Sequence, residues 1–439
     1  MLENYKQLLG QLVRFKSVST DSAYQPEIQK TVEWYRNLFQ GAGFQAQIIK
    51  GYDNPLLIAD YTTDPNLRTV LVYGHYDVQP ASKEEGWESE PFELAEREGR
   101  FYARGVIDNK GQALVHIVNV FEHIKNKTLG YNVKFFLEGN EETGSPKLDG
   151  FIKERKELLK ADFVLLSDGE IAAGAPNIEI GFRGTFNSTL RITCGKVDLH
   201  SGLYGGAAPN AIHELSKIIA GFYAADNKLA WAGIYEGMPQ IAPAILENNK
   251  RIPFSLEEYD KMTGKQVFFS QDNLDFYTQV GLLPCIEVSG IQAGYTGEGY
   301  RNAIPYKALA KINVRLAPGQ EPEKVFSELK KYVESTMPKY CSFELSLDQQ
   351  NKGALLETDN EFTQRAGRIL SEVWGKPPIL KYVGGSLPII TSFKELLGIP
   401  QAIIPLVNED CNMHGANENF DLKYWEKAME FSRRFFARE

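Results

Sequence analysis

His75 and Asp77 stand two residues apart in Tyr73-Gly-His75-Tyr-Asp77-Val-Gln-Pro80, directly after the apolar, β-branched run Thr69-Val-Leu-Val-Tyr73. On a strand, residues i and i+2 point to one face. Imidazole and carboxylate can therefore lie side by side, the carboxylate fixing the ring tautomer for metal binding; the same pair could equally hold a turn. Asp108, in Ala103-Arg-Gly-Val-Ile-Asp108-Asn-Lys-Gly111, precedes a helical stretch and by itself reads as an N-cap. Glu141 and Glu142, in Glu138-Gly-Asn-Glu141-Glu142-Thr-Gly-Ser145, follow another apolar run. Adjacent acids in a glycine-bounded turn can serve two partners, one binding a metal and one taking a proton from water, although alone they read as a solvated turn. Glu138 is assigned to structure. Asp168 follows a third apolar run in Leu166-Ser-Asp168-Gly-Glu170, and His414 lies in the polar stretch Cys411-Asn-Met-His414-Gly415. Each piece is weak alone. Together they place His, Asp, Glu and Asp at the ends of successive strands, with one more His close to the C-terminus, a nitrogen and oxygen ligand mix that suits hard and borderline divalent metals.

The elements needed to position these residues follow from periodicity. Residues 2–16 and 26–39 read as helices, 69–73 as a buried strand, 112–124 as a helix, and 132–137 and 163–166 as strands. Strands separated by helices predict an α/β domain whose mostly parallel sheet is covered by helices, with its site at the strands' carboxyl ends. The middle of the chain has a different pattern. An alternating strand at 185–193 and a helix at 209–223 lead into a Pro- and Gly-rich stretch running to about Gly290, then a strand at 308–316, a helix at 321–333 and a strand at 343–347. That order fits an antiparallel, helix-backed βαββαβ unit. After Glu357 the first pattern returns, ending in a helix at 422–436. The expected organisation is a catalytic domain made of residues 1–186 and 354–439, interrupted by an inserted α+β lid or dimerisation domain, 187–353.

The 439-residue length agrees with more than one domain, since a single core stops growing at roughly 250–300 residues. With 43% hydrophobic and 24% charged residues the chain is of ordinary globular composition. A net charge of −9 and the lack of a basic stripe argue against a nucleic-acid binder. Cys194, Cys285, Cys341 and Cys411 are widely spaced, and the expectation is neither a disulfide framework nor a zinc–cysteine site. The first residues have no long apolar stretch of a signal peptide, and no run of about 18 apolar residues occurs. The expectation is a cytoplasmic protein with no membrane partner.

GHYDVQP, RGVIDNKG, EGNEETGS, SDGE and DLHSGLYGG, in that order, resemble the cytosolic dipeptidase and carnosinase branch of a large dinuclear metallopeptidase family. Aminoacylases, acetylornithine deacetylases and succinyl-diaminopimelate desuccinylases are more distant members. The resemblance implies two divalent ions per subunit, zinc first and manganese as the alternative. His75, Asp108 and Asp168 would hold one ion, and Asp108, Glu142 and His414 the other. Asp77 would orient His75, and Glu141 would be the general base for a hydroxide bridging the two ions. A cis peptide between Asp108 and Asn109 is implied as well. His200, in the insert, would act across a homodimer on the partner's site and donate to the developing oxyanion. Arg315, Gly385 and Ser386 would bind the carboxylate end of a small peptide substrate. Asn302 aligns where relatives carry a different small polar residue, and no role is carried over to it.

Among the remaining histidines, His116 and His123 read as packing or surface residues and His213 as structural, while Cys411 reads as a small buried residue. Three functions compete. The first is hydrolysis of dipeptides or other short peptides. The second is removal of an acyl group from an amino acid on the same fold, and the third is a binding relative without activity. The full set of expected ligands and the base weighs against the third. By resemblance, Asp168 favours the first, because members acting on substrates with a free amino terminus tend to carry Asp there and deacylases more often Glu.

Overall fold

A computed structural model describes residues 1–226, 228–264 and 274–438. The chain divides into two compact units: one of residues 1–180, 356–381 and 388–439, the other of 181–355 and 382–387.

The first unit is built on a sheet whose strands run in the order Gln45–Ile49, Leu56–Tyr61, Asn132–Glu138, Thr69–His75, Phe163–Leu166, Gln401–Ile403 and Asn177–Phe182. Its centre is parallel. Thr69–His75 pairs in parallel with both 132–138 and 163–166, and 401–403 pairs in parallel with 163–166. Outside this centre the pairings are antiparallel. Residues 70–75 and 132–138 are buried without alternation, as expected of parallel strands covered on both faces. Helices do the covering. Leu2–Val13 buries Tyr5, Leu9, Leu12 and Val13, one stripe at helical spacing, and Leu422–Phe436 buries Trp425, Ala428, Met429 and Phe436. The register aligns the carboxyl ends: His75 lies opposite Glu138, and Tyr73 opposite Leu166, which in turn lies opposite Ile403. The loops after four strands therefore open at one edge.

The second unit carries an antiparallel sheet in the order Cys285–Ala293, Lys307–Leu316, Gly184–Thr193 and Ser342–Asn351. With the helices Ala211–Ala220 and Pro322–Thr336, the chain order is βαββαβ. Alternate residues Ala310, Ile312 and Val314 meet Phe186, Leu190 and Ile192 and the helix residues Leu215, Ile218, Val325 and Leu329 in one core. The Pro- and Gly-rich stretch holds more regular structure than its composition suggests, with helices Pro243–Lys250, Leu256–Thr263 and Phe276–Leu282. Residues 265–273 of it lie outside the described residues.

The expectation of no disulfide framework needs one correction: Cys194 and Cys341 are bonded, 147 residues apart in sequence. Thr193 pairs with Ser342 on adjacent strands, so the sheet brings the next residues out, Cys194 and Cys341, together. Sequence spacing carries no trace of that register. Cys285 and Cys411 are free, Cys411 being buried. Among the described residues, no helix is long and apolar enough to cross a membrane.

Candidate metal centre

His75 ends the central strand, and the loop from Tyr76 to Pro80 leaves the sheet edge there. Its Nδ1 lies 3.1 Å from the main-chain carbonyl of Asp77 and 3.5 Å from Asp77 Oδ1. The Asp77 carboxylate accepts the N–H groups of Glu141 and Glu142 at 3.2 and 3.1 Å. Asp77 thus braces the imidazole mainly through its backbone and holds the Glu-Glu turn with its side chain. Gln79 donates to Glu142 Oε2 at 2.6 Å.

Asp108 lies in the turn before the helix Lys110–Asn126, and the Asp108–Asn109 peptide is cis. Asn109 donates to the carbonyl of Ser167 at 2.7 Å, and Gln112 donates to the carbonyls of Ile107 and Gly169, each at 3.1 Å. These bonds tie the Asp108 turn to the Asp168 turn. Gly111 allows the helix start to pack beneath its own loop, since a Cβ there would run into the carbonyl oxygen of Val106.

The side chains converge. His75 Nε2 is 3.0 Å from Asp108 Oδ1 and 3.6 Å from Asp168 Oδ2. His414 Nε2 is 2.8 Å from Asp108 Oδ2 and 3.4 Å from Glu142 Oε2. Two groups able to hold a metal ion result, His75–Asp108–Asp168 and Asp108–Glu142–His414, with the ligand atoms of each within 4.8 Å of one another. They share Asp108, one oxygen toward each histidine. The buried Nε2 of His75 makes no hydrogen bond despite this crowd of acceptors. A buried, unpaired ring nitrogen facing carboxylates is costly unless a cation meets its lone pair.

Electrostatics point the same way. Burial, reinforced by Asp168, Glu142 and Asp108 and opposed by His75, pushes Glu141 well above the usual carboxylate range. Burial and Asp108 push Glu142 up to about 8. For His75, burial favours the neutral ring, but Asp108, Asp168 and Asp77 outweigh it and raise its pKa. Without a cation the cluster recruits protons to offset its negative charge; divalent cations would do so instead.

The second unit holds the remaining candidates. Arg315 donates to Ser386 Oγ at 3.3 Å, and Ser386 donates to the carbonyl of Arg183 at 2.7 Å. Arg183 in turn donates to the carbonyls of Gly384 and Leu283 at 2.9 and 3.1 Å, bracing the loop that carries exposed Gly385. His200 is exposed on the short strand Leu199–His200, which pairs with Ala303–Ile304, and its Nδ1 accepts the N–H of Gly202 at 3.0 Å. The main-chain carbonyl of Asn302 accepts from Ser201 at 3.0 Å.

Several supporting residues escaped the sequence reading. Gln79, Arg104 and Gln112 lay in or beside quoted motifs but carried no metal-ligand signature, and Glu418 lay just beyond one. His116 is fully buried between Ser432 Oγ and Ser167 Oγ, at 3.0 and 2.9 Å, and His123 is buried too. His213 is exposed on its helix.

A model of peptidase family M20/M25/M40 matches residues 71–438. The chain is 30% identical to the rat Beta-Ala-His dipeptidase over 375 residues, covering 84% of this chain and 76% of the rat protein. It is 30% identical to the Cys-Gly metallodipeptidase DUG1 of Saccharomyces cerevisiae over 390 residues, covering 86% of this chain and 80% of the yeast protein. The structure superposes on the M20 metallo-carboxypeptidase Sso-CP2 of Sulfolobus solfataricus with a TM-score of 0.87 at 26% identity, covering 98% of each chain.

Proposed function

The chain belongs to peptidase family M20/M25/M40, and from that premise we propose that it hydrolyses the amide bond of dipeptides and other short peptides with two divalent metal ions. The observation that carries this reading is the pair of ligand groups sharing Asp108, with Glu141 beside them on the turn held by Asp77.

His75, Asp108 and Asp168 would hold one ion, and Asp108, Glu142 and His414 the other. When bound, the ions supply Lewis acidity that activates water and polarises the scissile carbonyl. Glu141 is the general base. Its place on the turn held by Asp77, next to Glu142, suits a group that takes a proton from water and passes it to the leaving amine. Asp77 fixes both the ring of His75 and the direction of Glu141. Arg315, with Ser386 and Gly385, receives the substrate's terminal carboxylate, the guanidinium fork matching its geometry. His200 donates to the developing oxyanion of the partner subunit's site in a homodimer.

Residues 187–353 serve as the lid and dimerisation domain on a catalytic domain of 1–186 and 354–439. The mixed histidine and carboxylate set supports zinc, with manganese next. We place the protein in the cytoplasm. A reducing cytoplasm would open the Cys194–Cys341 bond, so a thiol count on protein trapped from cells tests the placement: four free thiols support it, and two overturn it.

The decisive assay is a panel of free dipeptides, tripeptides, longer peptides and N-acyl amino acids, each with zinc and with manganese. Turnover of dipeptides or tripeptides at least tenfold above that of longer peptides and N-acyl amino acids supports the proposal. Preference for N-acyl amino acids, or turnover of longer peptides alone, overturns the dipeptide assignment.

A further inference from the structure

Glu418 is fully buried, and Arg104 is 2% exposed. The two are brought together by a small antiparallel sheet in which Asn419–Asp421 pairs with Arg100–Tyr102, Asn419 opposite Tyr102. The Glu418 carboxylate accepts four N–H groups. Oε2 takes Arg104 Nη1 at 2.7 Å and Gly105 N at 3.1 Å; Oε1 takes Ile107 N at 3.0 Å and Asp108 N at 3.3 Å. That uses the roughly four acceptor sites a carboxylate offers. All four donors lie on the loop that carries Asp108.

The other arm of the guanidinium faces a different loop. Arg104 Nη2 donates to the carbonyls of His414 at 3.0 Å and Gly415 at 3.3 Å, and lies 3.5 Å from the carbonyl of Pro80. The indole of Trp87 lies under it, 5.4 Å from the ring centre. His414 has φ +61°, a left-handed conformation that a non-glycine residue keeps only where its surroundings hold it. Its carbonyl is held by Arg104. A buried ion pair adds little net stability compared with apolar packing, so its value here lies in what it fixes.

We propose that Arg104 and Glu418 are positioning residues that set the spacing between Asp108 and His414, and through it the affinity of the ion shared by Asp108, Glu142 and His414. This rests on the reading of the two ligand groups as metal sites. Glu418 fixes the main chain at Asp108, Arg104 fixes it at His414, and their mutual contact makes the two loops one rigid piece. The ion that His75, Asp108 and Asp168 would hold depends less on the pair, because Asp108 is the one member of that group whose main chain the pair holds, whereas the other group has both Asp108 and His414 held. Partners of this kind change metal affinity by about 10–100-fold when lost.

The test titrates the full-length, metal-stripped chain with zinc by calorimetry, and compares wild type with Arg104→Lys, Glu418→Gln and His414→Ala. Lysine keeps the charge against Glu418 but lacks the second arm toward His414 and Gly415. Glutamine sets an amide donor against main-chain donors. The expected result is that the ion lost in His414→Ala binds about 10–100-fold more weakly in both positioning variants and the other ion is weakened less or not at all. Wild-type affinity for both ions, or weakening of the other ion by as much or more, overturns the inference. Should Glu418→Gln fail to fold, Arg104→Lys decides alone. A wild-type chain that takes up fewer than two ions overturns the metal reading itself, and the inference with it; failure confined to the variants overturns the inference alone.

Discussion

The carboxylate of Asp77 accepts the main-chain N–H of Glu141 at 3.2 Å. A residue read from the sequence as the orienter of His75 is thereby also the anchor of the proposed base. Asp77→Ala should disturb both roles at once. We expect metal affinity to fall about 10–100-fold and kcat to fall further than metal loss explains. Turnover measured at saturating zinc checks this: full recovery of kcat with excess metal would show that Asp77 serves the metal alone.

Glu141→Gln removes the proton acceptor while leaving a side chain of similar size. Both ions should remain bound, and kcat should drop by about 10²–10⁴ or more, since one group moves the proton twice. Metal content by mass spectrometry, paired with turnover, is the check. A variant retaining over a tenth of wild-type turnover would falsify the assignment.

Arg315→Ala should weaken free-acid dipeptides far more than their C-terminal amides, because a guanidinium fork recognises the carboxylate and not the amide. The ratio of kcat/KM for matched acid and amide substrates measures this. Equal losses on both would make Arg315 a support for Ser386, to which it donates at 3.3 Å.

His200→Ala and Glu141→Ala should each be nearly inactive, yet complement one another when co-expressed. In a heterodimer with cross-subunit action, one site takes Glu141 from the first variant and His200 from the second. Random pairing puts about half the chains in heterodimers, hence about a quarter of all sites active. A heterodimer confirmed by two affinity tags but no more active than either variant would reject cross-subunit action, leaving His200 its contact with Gly202.

His116 should make the metal-free fold sensitive to acid. Burial lowers its pKa from 6.5 to about 3. The unfolded chain therefore binds a proton below pH 6.5 that the folded chain refuses until about pH 3. Its contribution to stability is complete above 6.5 and declines as pH falls through that window, at up to about 1.4 kcal/mol per pH unit. Between pH 7 and pH 5, urea unfolding of wild type should lose roughly 1–2 kcal/mol more than that of His116→Gln. Identical losses would show that His116 takes up its proton in the fold.

Much of the fold was legible because its signals are local. The run Thr69–Tyr73 is continuously apolar, and the final helix carries a clear apolar stripe, so both elements followed from side-chain periodicity. The strands Gln45–Ile49 and Asn177–Phe182 escaped. The first is a short, half-exposed edge strand, and the second has a glutamate, Glu179, within a buried run. The ion pair between Glu179 and Lys381, at 3.4 Å, makes that burial tolerable and cannot be seen in either segment alone.

The sequence by itself determined which residues could bear the chemistry: His75, Asp77, Glu141, Glu142 and Asp168 follow apolar runs, Asp108 precedes a helical stretch and His414 lies in a polar one, all in motifs whose residue types suit divalent metals. Only the tertiary structure decided which of them meet. Strand register aligned four carboxyl ends at one sheet edge, and loop closure brought His414 to within 2.8 Å of Asp108. The fold also joined the Asp77 carboxylate to the Glu141–Glu142 turn, and Arg104 to Glu418 beside the Asp108 loop. The physical reason is that side-chain type and strand or helix period are written in neighbouring residues, whereas register, loop closure and buried hydrogen bonds join groups far apart in the chain. Cys194 and Cys341 mark the same boundary: their identity was plain, and their pairing was decided by the sheet between them.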